Sequence, residues 1–444
     1  MENTDIIIIP SELIGSVPRP DELIAALRSY RYGRMGRERL NDFYTRAVQT
    51  TIEELEATGS KIITDGEQTK PSFLIYPIFD LVDESYSFSS DCFSLKFADG
   101  HQRALPRLVK APFRYAKYAH TYIDTAKKFT GLPIKQAVIS PSALSMVYPV
   151  ATIKGYSHDQ FLTDLINESE KDIRLCLEKG AHCIQIDFTE ARFSLKVDPT
   201  GQLLRDFVRL NNQVLERFMF SEQHRLGVHV CPGGDQDSYH SYDIDYLKVL
   251  PTLFELHVGN FYLQLASESN RQRVLSCIRE YMQPWHRIFV GVINPVDPRV
   301  ETAEEVCERV LEAAKYIPIE QLGTTDDCGF SPFDDDQSTP RQIAFDKIRA
   351  RIREYMQPWH RIFVGVINPV DPRVETAEEV CERVLEAAKY IPIEQLGTTD
   401  DCGFSPFDDD QSTPRQIAFD KIRARLEGTR MAEEQLMARK RTKI

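Results

Sequence analysis

Nowhere in the chain do apolar side chains run on for the roughly 18 positions that a helical bilayer span needs, although they make up 42% of its 444 residues. A soluble protein with no membrane partner is expected. The opening residues MENTDIIIIPSELIG hold one four-residue apolar run between acidic and polar flanks, so the basic start and longer apolar stretch of a secretory leader are missing. The expected location is cytoplasmic. Basic charge is short as well: 54 Lys and Arg face 67 Asp and Glu, a net charge of -13, which argues against nucleic acid as a partner. The only basic cluster, ARKRTKI from Ala438 to Ile444, reads as a solvated end. A disulfide framework is also absent. The nine cysteines, among them Cys92, Cys176, Cys183 and Cys277, follow no scaffold spacing and are expected as free thiols in the core of a reducing-compartment protein. The length can bury a large core without such staples.

What the chain does contain is a copy of part of itself. Ile278–Arg351 recurs letter for letter as Ile352–Arg425, a period of 352 minus 278, or 74 residues. Solenoid repeats are usually shorter, and their sequences diverge. The doubling therefore points to a tandem duplication of the gene, or to its assembly, rather than to a functional array. The expected organisation is one domain over 1–351, a redundant duplicate over 352–425 and a charged tail over 426–444.

Read with a single copy, the chain alternates strand-length apolar runs with helix-compatible stretches. The runs are DIIIIPSELIGS, SKIITDGEQ, IKQAVISPS, HCIQIDFTEA, LGVHVCPGG, LFELHVGNFYLQLA, RIFVGVINP and EQLGTTDDCG. Eight such units predict an α/β fold, a (β/α)8 TIM barrel whose chemistry sits at the C-terminal strand ends. The stretch from about Tyr86 to Thr130 reads as an insertion. One closed barrel accepts one copy of the last two strands, and the first copy, with the shorter loop closure, is expected to fill it.

Strand ends supply the candidate residues. The fifth run ends on His229 and Cys231, whose spacing turns both side chains to one face of a strand; a core cysteine beside a hydrogen-bonded histidine would look the same. The sixth offers Glu268, which would otherwise be a solvated carboxylate, and the eighth offers Cys328 in DDCGF, duplicated as Cys402. His, Cys, Glu and Cys suit zinc by softness and number. Two thiolates and a carboxylate would leave the ion electron-rich, better fitted to make a thiolate from a bound thiol than to activate water.

The motifs GSVPRP, DGEQTKPSF, QIDFTEAR, HVC and IPIEQLGTTDDCGF, in this order over residues 5 to 351, together resemble the catalytic barrel of cobalamin-independent methionine synthase. That resemblance implies zinc-dependent transfer of a methyl or alkyl group to a small thiol, with His229, Cys231, Glu268 and Cys328 as ligands and Cys402 as the duplicate of the last. Asp235, Asp237 and His240 are the local alternatives to Glu268. The resemblance also places Ser16, Glu67 and Asp187 where the family holds the amino-acid part of homocysteine; carboxylates suit an ammonium and a hydroxyl suits a carboxylate. Strand-end capping and local ion pairing would explain the same residues. After the seventh run the family's DIHSP histidine, which assists protonation at the reaction centre, is matched by Val296 of INPVDPR. Asp297 is then the expected proton donor, provided that burial raises its pKa. Methyltetrahydrofolate, a corrinoid protein and an epoxide, as in epoxyalkane:coenzyme M transferases, are the donors the resemblance leaves open. A non-catalytic ligand-binding barrel is the remaining reading.

Overall fold

The structure, a computed structural model, describes residues 9–82, 94–149, 153–352, 362–388, 391, 393, 396–401, 404 and 414–441. It divides into two compact units, Ile7–Arg353 and Glu354–Ile444. Among the described residues, no helix is long and apolar enough to cross a membrane.

In the first unit, six parallel strands stand side by side in chain order: Lys135–Ile139, Cys183–Asp187, Leu226–Val230, Asn260–Leu263, Arg287–Ile293 and Leu322–Asp326. They correspond to the third through eighth apolar runs. In four of them every residue is buried, as expected when helices cover a parallel sheet. Among the described residues, the first two runs join by single parallel bridges, Ser11 to Thr324 at one edge and Ile63 to Ile134 at the other. Pro10 has no N–H to extend the first ladder, and most of that apolar run lies outside the described residues. The second run stops at the turn around Gly66, where φ is +64. Val17 N–H donates to the Gly66 carbonyl at 3.1 Å, joining the two outer segments to each other.

Helices lie between the strands, and their sequences explain their ends. Ser157 with Gln160 and Thr302 with Glu305 form reciprocal capping boxes at the starts of His158–Glu178 and Ala303–Ala313, satisfying donors a helix cannot pair internally. Helix Gln202–Leu215 buries Leu204, Phe207, Val208, Asn211, Val214 and Leu215, the three-to-four spacing of a face turned to a core. That core is continuous and includes Leu13, Ile63, Ile184, Val228, Phe261, Val290 and Leu322.

The insertion contributes an antiparallel hairpin, Ser94–Lys96 with Gln102–Ala104, and the short helix His120–Ala126. Ala98 N–H donates to the Tyr239 carbonyl at 3.0 Å, and Asp99 N–H to the Ser238 hydroxyl at 3.2 Å. The hairpin is thereby fastened to the loop that follows the fifth strand.

In the second unit, Ile362–Ile367 pairs in parallel with Leu396–Asp400, Ile362 opposite Leu396. The first copy has the same register, Ile288 opposite Leu322. A small core of Val366, Ile367, Val380, Cys381, Val384 and Ala432 forms beneath this pair. Helix Arg415–Arg441 runs unbroken through position 426, so the described part of the expected tail continues the duplicate's last helix.

Candidate metal centre

The C-terminal strand ends face one cavity, whose lining includes Ser16, Glu67, Asp187, His229 and Cys328. His229, next to last in the fifth strand, has Nδ1 3.2 Å from the Tyr262 carbonyl oxygen. A carbonyl only accepts, so Nδ1 carries the proton and Nε2 keeps its lone pair. Nε2 is buried and has no hydrogen-bond partner among the described residues. Cys231 lies 3.2 Å from Cys328, sulfur to sulfur, and accepts the Gly233 N–H at 3.4 Å. Gly233 adopts φ +74, and a Cβ there would lie 1.8 Å from the His240 ring, so only glycine lets the loop turn this tightly.

The ligand atoms of His229, Cys231 and Cys328 lie within 4.8 Å of one another, and all three residues are buried. Two sulfurs and an imidazole nitrogen suit zinc. The hydrogen bond shared with Cys231, together with burial, pushes the Cys328 thiol well above its ordinary pKa. A dication would compensate two thiolates and give Nε2 a partner, so the donor set fits such an ion.

Glu268 is not in this group. Its N–H closes a turn onto the Leu265 carbonyl, and its carboxylate is ion-paired with the buried Arg192, which also lies 4.1 Å over the Tyr246 ring. The turn aims the side chain at that guanidinium, a pairing the sequence did not reveal. The alternatives are also engaged elsewhere. Asp235 is ion-paired with Arg103 at 2.5 Å and hydrogen-bonded to His101 at 3.1 Å, and Asp237 accepts from the Thr339 hydroxyl at 3.1 Å. His240 lines the cavity and hydrogen-bonds Ser241; burial and then the nearby Lys196 lower its pKa to about 4, so it is neutral at pH 7. Cys402 lies outside the described residues.

Glu67 sits in the left-handed region, φ 56, which is uncommon for residues other than glycine. Its N–H donates to Asp65 at 2.9 Å, its carbonyl accepts from Arg19 at 3.1 Å, and its carboxylate meets Lys70 at 2.9 Å. Lys70 was not foreseen, although the DGEQTK spacing was a usable signal. Asp187 stands opposite His229 in the sheet. Burial and the nearby Glu67 push its carboxyl up to about 6, against the pull of His229 and Lys70. Ser16 accepts the Ser331 N–H at 3.2 Å.

Asp297 corrects the expectation placed on it. A proton donor needs a raised pKa; burial pulls that way, but it is outweighed by hydrogen bonds from the Arg299 backbone and guanidinium, which leave the carboxyl below its ordinary value. The ion pair to Arg299 is 3.0 Å long and partly exposed. The cavity's apolar side, Phe73, Leu95, Phe97 and Phe333, was also missed; half of it comes from the insertion hairpin.

The catalytic-domain model of the cobalamin-independent synthases matches residues 9–341. The chain belongs to the cobalamin-independent methionine synthase family. Among the relatives of this family member, the methionine synthases of Sulfurisphaera tokodaii and Thermococcus kodakarensis are 23% and 24% identical over 349 and 351 residues. Each match covers 77% of this chain and 90% of the relative. A B12-independent methionine synthase from Shewanella, solved with selenomethionine, superposes with a TM-score of 0.58 at 19% identity, over 78% of this chain and 96% of that one. A putative B12-independent methionine synthase from Listeria monocytogenes gives 0.58 at 20%, over 78% and 97%. These likenesses agree with the α/β fold and its parallel sheet.

Proposed function

We propose that this (β/α)8 barrel transfers a methyl group to the sulfur of a homocysteine-like thiol, at a zinc ion held by His229, Cys231 and Cys328. The observation that carries this reading is the buried histidine-and-two-cysteine group with its unpartnered Nε2, at the strand ends of a chain whose relatives are methionine synthases. Zinc held there would supply the charge that lets a bound thiol lose its proton near neutral pH.

The chain's own residues do the rest. Asp187 and Glu67 offer carboxylates to the acceptor's ammonium group, and the Ser16 hydroxyl, beside Gly329, offers a donor to its carboxylate. Phe73, Phe97 and Phe333 exclude water from the sulfur, and the strand ends hold acceptor and donor in line. Asp297, held as a carboxylate by Arg299, gives no proton to the leaving group, so the donor is one that departs without help from that residue.

The test is metal content together with product formation. Purified protein is expected to hold about one equivalent of zinc, Cys231→Ser to lose it, and wild type to form methionine from homocysteine and a methyl donor. Less than about half an equivalent in wild type, with no further loss in Cys231→Ser, would overturn the reading.

A further inference from the structure

The three-residue group leaves one corner of a tetrahedral site open, and Glu268 is committed to Arg192. The sheet register identifies a further residue on the same face as two members of that group. His229 is opposite Tyr262 and Val230 opposite Leu263. Gln264 N–H then donates to the Val230 carbonyl at 3.4 Å, carrying the ladder one step further and setting Gln264 opposite Cys231. Opposed residues of parallel strands present their side chains to one face. Gln264 therefore shares a face with His229 and Cys231.

Its amide is built in. Gln264 is completely buried, and its Nε2 donates to the Ser267 hydroxyl at 2.6 Å. Its Oε1 is buried with no partner among the described residues, a rare state for a carbonyl oxygen. Two neighbouring positions on one face, Gln264 and His229, thus each carry a buried acceptor atom with no donor.

The turn after Gln264 is tied to the residue before Cys328. Asp327 accepts the N–H groups of Leu265 and Ala266 at 2.8 Å each and that of Ser267 at 2.7 Å. Gly291 makes room for this carboxylate, since a Cβ there would lie 1.9 Å from Asp327 Oδ1. Gln264 and Cys328 are in this way held by one local structure.

We propose that the amide oxygen of Gln264 is the fourth protein donor, giving a His-Cys-Cys-Gln site. This rests on the metal reading above and adds a consequence of charge. Two thiolates cancel the dication, and an amide, unlike a carboxylate, adds no further negative charge. The site is one unit more positive than one closed by Glu, so an incoming thiol gives up its proton at lower pH and the resulting sulfur is a weaker nucleophile.

Zinc retention against a competing chelator, and the absorption spectrum of the cobalt-substituted protein, test this in wild type, Gln264→Ala, Gln264→Glu and Cys231→Ser. Gln264→Ala is expected to hold zinc at least about tenfold more weakly, since even changes one shell further out cost that much, and to alter the cobalt spectrum. Gln264→Glu, which preserves size and keeps the test valid if the alanine variant fails to fold, is expected to hold zinc more tightly. If Cys231→Ser abolishes binding while both Gln264 variants match wild type in affinity and spectrum, Gln264 is not a ligand and the metal reading survives. If wild type itself binds no zinc, both fall.

Discussion

At the scale of single residues, what a carboxyl does here depends on its partners. Asp297 and Asp187 belong to one residue type, yet Arg299 lowers the first, while burial and Glu67 lift the second to about 6. Loss of a working general acid costs about a hundredfold or more, so Asp297→Asn, which removes none, is expected to leave turnover within about threefold of wild type. Steady-state kinetics over pH check this. Asp172, away from the metal group, gives a stability prediction. Burial pushes it to about 6, despite hydrogen bonds from the Ala119 N–H and Tyr76 hydroxyl. A raised carboxyl binds its proton more tightly when folded, so its contribution is full below about pH 4 and fades as pH climbs through 6. Denaturant titrations at pH 4.5 and 7.5 are expected to show Asp172→Asn gaining on wild type at the higher pH, by on the order of 2 kcal/mol. His229, Cys231 and Cys328 were legible as candidates because strand parity and sulfur chemistry are local properties. Gln264 was not, because an amide carries no chemical signature until its register against Cys231 is known.

At the scale of elements, the two copies separate what sequence dictates from what surroundings add. Both strand pairs adopt one register, with a shift just before Asp326 and again before Asp400. Both helices begin with the same threonine-glutamate capping box, and in both a Cβ on the repeated glycine would lie 1.9 Å from an aspartate oxygen. These features are written locally and were readable. Burial is not: Phe289 is 1% exposed and its copy Phe363 is 59% exposed. The second strand was misjudged in extent for a related reason, since the apolar run at Ile63 cannot show that, among the described residues, its ladder is a single bridge ahead of the Gly66 turn. Gly291→Ala is expected to destabilise the first unit by about 1–3 kcal/mol or more through overpacking against Asp327, and to loosen the turn carrying Gln264. Thermal melts of the metal-free and metal-loaded forms would register both effects.

At the scale of the whole molecule, the alternation of strand and helix was legible because eight apolar runs recur in order, whereas the fastening of the insertion hairpin to Tyr239 depends on contacts between distant segments. Removing 352–425 joins Arg351 to Leu426, the neighbour Arg425 already has, so the helix can continue across the junction. The shortened chain is expected to keep its metal content and its melting temperature, and a fall in either would show that the second copy supports the site. The duplication also bears on how the native pairing is selected. Both copies can offer the same strands in the same register, so on refolding from denaturant only the weak preference of a shorter loop closure favours the first. On a ribosome adding about 5–20 residues per second, the first copy has a lead of roughly 4–15 seconds before its rival is complete, longer than most single domains need to fold. Order of synthesis thereby does what sequence identity cannot, and refolding of the full chain from denaturant is expected to show a slow phase that the shortened chain lacks.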